Sequence, residues 1–384
     1  MNKKNRTLTF LFNCTTNIVG GGMKNSVLFI LETLKNPNGL EWRYAVSLEV
    51  ATILKSKNAI LDSHFLIFDQ SPSKNKQERE KLYSFVLEIN ADLVYTMAGP
   101  AYIKFPVYHL MGISNPYITH ADIDVFKTNG NFIQNIQLLL KTLYQLYKST
   151  KANHFIFQTE AARDNYCART CISPSRTSVI NNAFDMEMKS DISQFARRER
   201  KRERSFTIFC PGAAYSHKAF QFIPDLALEL RVLLKKPFQF VLTLPDSDIM
   251  KLIDAKVKKF DLINHVKNIG PYDYNDIASL YSESDLVYVP SLLETFSATY
   301  LEAMVANKIL VVANKKFAKD VCEEYAVYVD PLNALESAKT FQSIINNPTE
   351  YQNKSKISNS ILNKFGNQKQ RYEKIVDLIL KKLT

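Results

Sequence analysis

The sequence predicts an α/β fold class in which strand–helix alternation runs through two successive halves. Three observations carry that expectation. Short continuous apolar runs such as Leu286–Val289 and Ile309–Val312 are joined by helical patterns, as in parallel βαβ units buried on both faces. The alternation appears on both sides of a segment, 186–204, whose run Arg197–Arg204 contains no core-forming residue. The length, 384 residues with 46% hydrophobic and 23% charged content, suffices for two full cores and is ordinary for a globular protein.

In chain order, the first half opens with the strand Leu8–Phe12. The preceding Lys3, Lys4 and Arg6 mimic the start of a signal peptide, but the apolar stretch is short and no small-residue cleavage site follows it closely, so a first β-strand is expected. A loop through Gly20-Gly21-Gly22 leads to a helix near Lys24–Leu34, and consecutive glycines there allow close approach of backbone to a ligand. Further strands are expected at Tyr44–Leu48, Phe65–Phe68 and Leu93–Met97, with an amphipathic helix at Glu78–Ile89. Pro116–His120 reads as a strand edge ending in a histidine, a residue type that serves packing as well as chemistry. A helix at Phe132–Ser149 and a strand–helix pair at Phe155–Gln158 and Thr159–Tyr166 complete this half.

The second half begins with the strand Phe206–Cys210, then the loop Pro211–Lys218 and a helix over Phe220–Leu234. Lys218 is placed near a strand end, where a fixed ammonium can neutralise a diphosphate. Alternation continues through Phe238–Leu244, Asp248–Lys259, Val266–Ile269 and Tyr274–Glu283. The segment Asp285–Ala313 then supplies a buried strand, a loop carrying Glu294, a helix start and a second strand. Ligands of such sheets bind outside the carboxyl ends of the strands, where Glu294, Thr295 and Ser297 lie. Glu302, eight positions after Glu294, also fits a capping box as Thr299-Tyr300-Leu301-Glu302. Beyond it, Ala326–Val329 is a strand, Pro331–Ile345 starts a helix, and 350–383 is helical in pattern.

Composition narrows the function classes. No apolar run is long enough to span a bilayer. Five cysteines (14, 167, 171, 210, 322) form no CxxC pair, which fits reduced thiols and a cytoplasmic location. The net charge is +11, of which +4 falls in Arg197–Arg204. No nucleic-acid motif accompanies it, so a nucleic-acid partner is not expected, whereas an anionic membrane surface is a candidate partner.

Pro290-Ser291, Glu294-Thr295-Phe296-Ser297, Glu302-Ala303-Met304 and Ser178–Asp185 together resemble the corresponding segments of family 4 glycosyltransferases. That family reads strand–PS–xxEGFGxxxxEAM–strand; Thr295, Ser297 and Asn307 stand here for its glycines, and Ala213 for a common arginine. The resemblance covers nearly the whole chain, with its specific motifs mainly in the second half. It implies the GT-B fold, two Rossmann-like domains facing across a cleft. The acceptor domain would be 1–185, joined by a basic linker 186–204 to a donor domain 205–365, with a helix about 366–384 crossing back. It implies retaining transfer of a sugar from a nucleotide-diphosphate sugar to a glycan or lipid-linked glycan, in bacterial cell-surface glycan synthesis. By analogy His120, Lys218 and Glu294 are catalytic, and Gly21, Gly22, Gly212, Thr295, Phe296, Ser297 and Glu302 bind the donor. No cofactor or metal is expected. The alternatives are a sugar-nucleotide epimerase, a non-catalytic binding subunit, and a metal-dependent transferase using Asp122-Ile123-Asp124 or Asp246-Ser247-Asp248.

Overall fold

The computed structural model describes residues 7–127, 132–183, 205–272, 276–352 and 354–383. The expected basic segment 186–204, and with it Arg197–Arg204, lies outside the described residues. The chain forms two compact units: Met1–His120 with Ile136–Ala183 and Gln368–Thr384, and Ala121–Asn135 with Phe184–Asn367.

The first unit holds seven parallel strands: β1 (Thr9–Cys14), β2 (Glu41–Ser47), β3 (Phe65–Phe68), β4 (Leu93–Thr96), β5 (Tyr108–Ile113), β6 (His154–Phe157) and β7 (Thr177–Val179). Their order is β3-β2-β1-β4-β5-β6-β7. β1 is buried at every position and pairs with β2 on one side and β4 on the other, Phe12 standing opposite both Tyr44 and Tyr95. Its aromatic side chains build the core: Phe12 stacks on Phe29 at 4.6 Å, and Tyr372 of the last helix meets Phe29 edge-on at 5.5 Å. That helix, Gln368–Leu383, buries Tyr372, Ile375, Val376 and Ile379 in this same core.

In the first unit, strands β5 and β7 and the segment Pro116–His120 depart from the sequence expectation. Strand β5 is not foreseen, because His109 and Gly112 interrupt its apolar pattern. His109 is fully buried and bonds Thr96 across the sheet (2.9 Å), and a Cβ on Gly112 would stand 2.1 Å from the Met97 carbonyl oxygen. Pro116–His120 is a short helix rather than a strand edge. Asn115 accepts a hydrogen bond from the Tyr117 amide (3.0 Å) and proline takes the first helical position, a standard helix start.

The second unit holds six parallel strands: β8 (Phe206–Cys210), β9 (Phe238–Leu242), β10 (Val266–Asn268), β11 (Leu286–Val289), β12 (Ile309–Ala313) and β13 (Val327–Val329), in the order β10-β9-β8-β11-β12-β13. The runs read as doubly buried strands are such: every residue of β11 and β12 is buried, and they pair in register from Leu286↔Ile309 to Val289↔Val312. Helices cover both sheet faces and divide the core in two, one cluster around Phe240 and Phe341, the other around Tyr281 and Tyr300. In each unit the strand order reverses at one point, between β1 and β4 and between β8 and β11. Ligands of open α/β sheets enter at such a switch point, beyond the carboxyl ends of the strands.

Candidate active site

The switch point of the second unit is built from the loops that follow β8 and β11. After β8 the chain turns through Gly212, whose amide donates to Thr243 Oγ1 (3.2 Å) at the end of β9. An added Cβ at Gly212 would stand 2.6 Å from the Phe220 ring, so glycine is required by space rather than by backbone conformation. A 3₁₀ turn, Ser216–Lys218, follows, and Ala219 takes the left-handed conformation (φ 59°). The continuous helix expected from Phe220 is therefore a second 3₁₀ turn, Phe220–Phe222, running into the helix Ile223–Leu233.

The two loops are fastened together. The Leu292 amide donates to the His217 carbonyl (2.8 Å), and Lys218 Nζ forms a salt bridge with Glu294 Oε1. Both side chains are mostly withdrawn from water, Glu294 at 11% and Lys218 at 18% exposure, so the pair is screened far less than a surface one. Beside it the His217 ring stacks on Tyr215, centroids 5.4 Å apart. Burial, and secondarily the Lys218 charge, lower the His217 pKa to about 4, so the imidazole is neutral near pH 7.

After β11, Ser291 is buried, and among the described residues its hydroxyl has no hydrogen-bond partner. Thr295 and Ser297 are buried, and Ser297 stands at the N-cap of the helix Ala298–Val305 without a side-chain cap bond. Neither Thr295 nor Ser297 has a positive φ, whereas Asn307 does (49°). The glycine replacements thus fit the backbone: Thr and Ser occupy ordinary conformations, and Asn tolerates the left-handed one. Phe296 turns its ring into the core, edge-on to Phe365 at 5.5 Å.

Glu302 is not part of a capping box. The N-cap is Ser297, so Thr299 already lies inside the helix and cannot serve as the capping residue. Instead Glu302 Oε2 accepts a hydrogen bond from the buried Tyr281 hydroxyl (3.0 Å). Burial first, then the Glu302 charge, raise the pKa of that phenol well above its ordinary value; the same two causes raise Tyr272. Tyr281 was not signalled by the sequence, since no spacing distinguishes it from a core residue.

The remaining candidates belong to the first unit. Gly21 and Gly22 open the helix Gly20–Lys35, which starts four residues earlier than the expected Lys24. They lie at that unit's switch point, where Thr16 Oγ1 reaches the Ala98 carbonyl (3.3 Å) and Ala98 Cβ is 3.8 Å from a Cβ placed on Gly22. His120 ends the helix Pro116–His120, its Nδ1 2.9 Å from Thr119 Oγ1.

The two DxD sequences have local structural partners. Ser247 caps the helix Asp248–Lys259 through the Met250 amide, and Asp248 is 97% exposed beside Lys251. Asp122 accepts from the Val125 amide (3.2 Å) and pairs with Lys315 (2.9 Å). Among the described residues, no group of three or more His, Cys, Asp or Glu is placed to hold a metal ion.

Residues 192–360 match the family model described as Glycosyl transferases group 1. The chain is 24% identical over 238 residues to the O-antigen chain mannosyltransferase RfbU of Salmonella typhimurium; that match spans 61% of each chain. Its fold is that of GT-B glycosyltransferases. It superposes on a glycosyltransferase from Rickettsia africae with a TM-score of 0.72 at 14% identity, over 99% of both chains. Anabaena HepE, solved in complex with UDP and glucose, gives 0.71 at 16% identity, over 97% of this chain and 99% of that one.

Proposed function

We propose that this chain, whose residues 192–360 match the group 1 glycosyl transferase model on a GT-B fold, transfers a hexosyl group from a nucleotide-diphosphate sugar to a glycan or lipid-linked glycan, with retention and without a metal. The observation that carries the proposal is the Lys218–Glu294 pair at the switch point of the second sheet, flanked by Glu302 on the helix that follows.

The chemistry follows from the leaving group. Cleaving the sugar–phosphate bond leaves negative charge on a diphosphate oxygen, and a fixed cation with aligned amides lowers that barrier. Lys218 is the cation, and the amides around Thr295–Ser297 at the start of the helix Ala298–Val305 are the dipoles. Without donor, Glu294 holds the ammonium; donor phosphates compete for it, which releases the Glu294 carboxylate to accept from sugar hydroxyls. Glu302, oriented by Tyr281, accepts from the ribose hydroxyls. By the family resemblance His120 takes part in catalysis, and Gly21 and Gly22 bind the donor. The leaving phosphate takes the acceptor proton, so no covalent nucleophile is required.

The mannosyltransferase activity of the Salmonella relative puts mannosyl donors first in order, and a further structure of Anabaena HepE, in complex with UDP-glucose, adds that donor. The setting is the cytoplasmic face of the membrane, where lipid-linked acceptors are exposed. Nucleotide release from UDP-, GDP-, ADP- and dTDP-sugars, with and without chelator, tests this reading. Chelator-insensitive release from one donor is expected. Release abolished by chelator would replace it with a metal-dependent site.

A further inference from the structure

The helix Phe132–Ser149 carries its polarity inside out. From Ile136 onward it belongs to the first unit. There Thr142 and Ser149 are buried, and Gln145 bonds Tyr102 (3.2 Å) and Asn115 (2.9 Å). Ser149 meets the Tyr166 hydroxyl at 2.9 Å. The face turned to solvent is apolar instead: Ile136, Leu139, Leu140, Leu143, Tyr144 and Tyr147 are 43–61% exposed. At 3.6 residues per turn they fall within an arc of about 140° and extend about 17 Å along the axis. A surface helix of a soluble protein turns its apolar stripe to the core and its polar face outward. A continuous apolar face of this kind marks an interaction surface.

Charge identifies the occupant. No Asp or Glu occurs between Asp124 and Glu160, whereas Lys141, Lys148 and Lys151 lie along or just beyond the helix. Lys148 and Lys151 approach the Tyr147 ring at 5.9 and 4.0 Å, and Lys148 approaches Tyr144 at 5.4 Å. Next to this end of the helix is a cavity of about 750 Å³ lined by Lys104, Lys148, Lys151, Arg176 and Tyr102, with no acidic residue in its wall. Aromatic rings with adjacent lysines at the end of an apolar stripe match the chemistry of a bilayer interface, with acyl chains below and anionic headgroups above. Among the described residues no helix is long and apolar enough to cross a membrane, so the helix would lie in the interface plane.

We infer that the exposed face Ile136–Tyr147 docks the first unit on an anionic lipid bilayer, its lysines and the adjoining basic cavity engaging headgroup phosphates. This deepens the membrane-surface part of the reading above and is separable from sugar transfer, because none of the residues proposed for transfer lies on this helix.

Co-sedimentation of the full chain with phosphatidylglycerol-containing and pure phosphatidylcholine vesicles tests it. Wild type should bind the anionic vesicles at low salt. Leu140→Gln/Leu143→Gln should weaken that binding at least ~10-fold, since two apolar side chains lose their contact. Lys148→Gln and Lys151→Gln should each weaken it about 5-fold, an effect that salt removes. Both leucines are more than half exposed, so the double variant should fold and release nucleotide as wild type does. A Leu143→Trp reporter should shift to the blue on binding, while the only natural tryptophan, Trp42, is buried. Equal binding to neutral vesicles, or binding unaffected by the leucine changes, would overturn the inference. So would a self-associated chain whose assembly, rather than vesicle binding, is lost in Leu140→Gln/Leu143→Gln. Absent vesicle binding with intact nucleotide release would remove the docking surface and leave the transfer reading standing.

Discussion

Lys218 and Glu294 form a salt bridge between the loops that leave β8 and β11, the adjacent strands at which the second sheet reverses its order. The pair is mostly withdrawn from water and sits beyond the strand ends, where we propose that the donor diphosphate enters. Glu294→Gln and Lys218→Ala should each lower sugar transfer at least ~100-fold, comparable to removing one charge-stabilising group. Because the two groups act as a unit, the double variant should lose far less than the product of the single effects. Steady-state rates of the three variants check this; near-normal activity in both single variants would remove the proposed site.

Gly212 is held by contact with Phe220. Gly212→Ala should destabilise the second unit by about 1–3 kcal/mol, the usual range for overpacking, and raise the KM for donor by moving the Lys218 loop. Phe220→Leu added to Gly212→Ala should recover part of both losses, as read by thermal unfolding and donor titration. A loss that the second change leaves untouched would assign glycine some other role.

Tyr281 positions Glu302 through one hydrogen bond to a carboxylate. Such bonds contribute about 1.5–3 kcal/mol. Tyr281→Phe should therefore weaken nucleotide affinity by about 10-fold or more, with a smaller effect on kcat, because the proposed contact is to ribose and not to the reacting bond. A kcat loss at unchanged affinity would move Glu302 from nucleotide binding to chemistry.

Two buried histidines, His109 and His154, and the half-buried His217 link stability to pH. Burial lowers the pKa of His109 to about 3 and, with neighbouring cations, those of His154 and His217 to about 4. Each is neutral in the native chain while the unfolded chain takes up a proton below about 6.5. The unfolded state then binds more protons, so stability falls as pH drops from about 6.5 towards 4. Thermal midpoints measured across that window should decline steadily, and His109→Gln should decline less steeply. A flat profile would mean that these imidazoles charge freely in the folded protein.

The alternation of strands and helices was legible because parallel strands buried on both faces, such as β11 and β12, are continuous apolar runs. Strand β5 was not: His109 is paid for by Thr96, and Gly112 by the closeness of the Met97 carbonyl, neither visible without the fold. Pro116–His120 was misread although Asn115-Pro116 carries the helix-start signal. At the site, the resemblance supplied Lys218 and Glu294, and only the topology showed that they meet. Spacing alone left Glu302 divided between cap and ligand, and the N-cap at Ser297 removed the first.

Binding of UDP, GDP, ADP and dTDP to wild type and to Lys218→Ala, by calorimetry in the presence of chelator, tests the central claim most directly. One nucleoside diphosphate should bind wild type and lose at least ~10-fold in affinity in the variant, as for a lost charge-assisted contact. Equal affinity in both proteins, or binding that disappears with chelator in wild type, would contradict a diphosphate site built on Lys218.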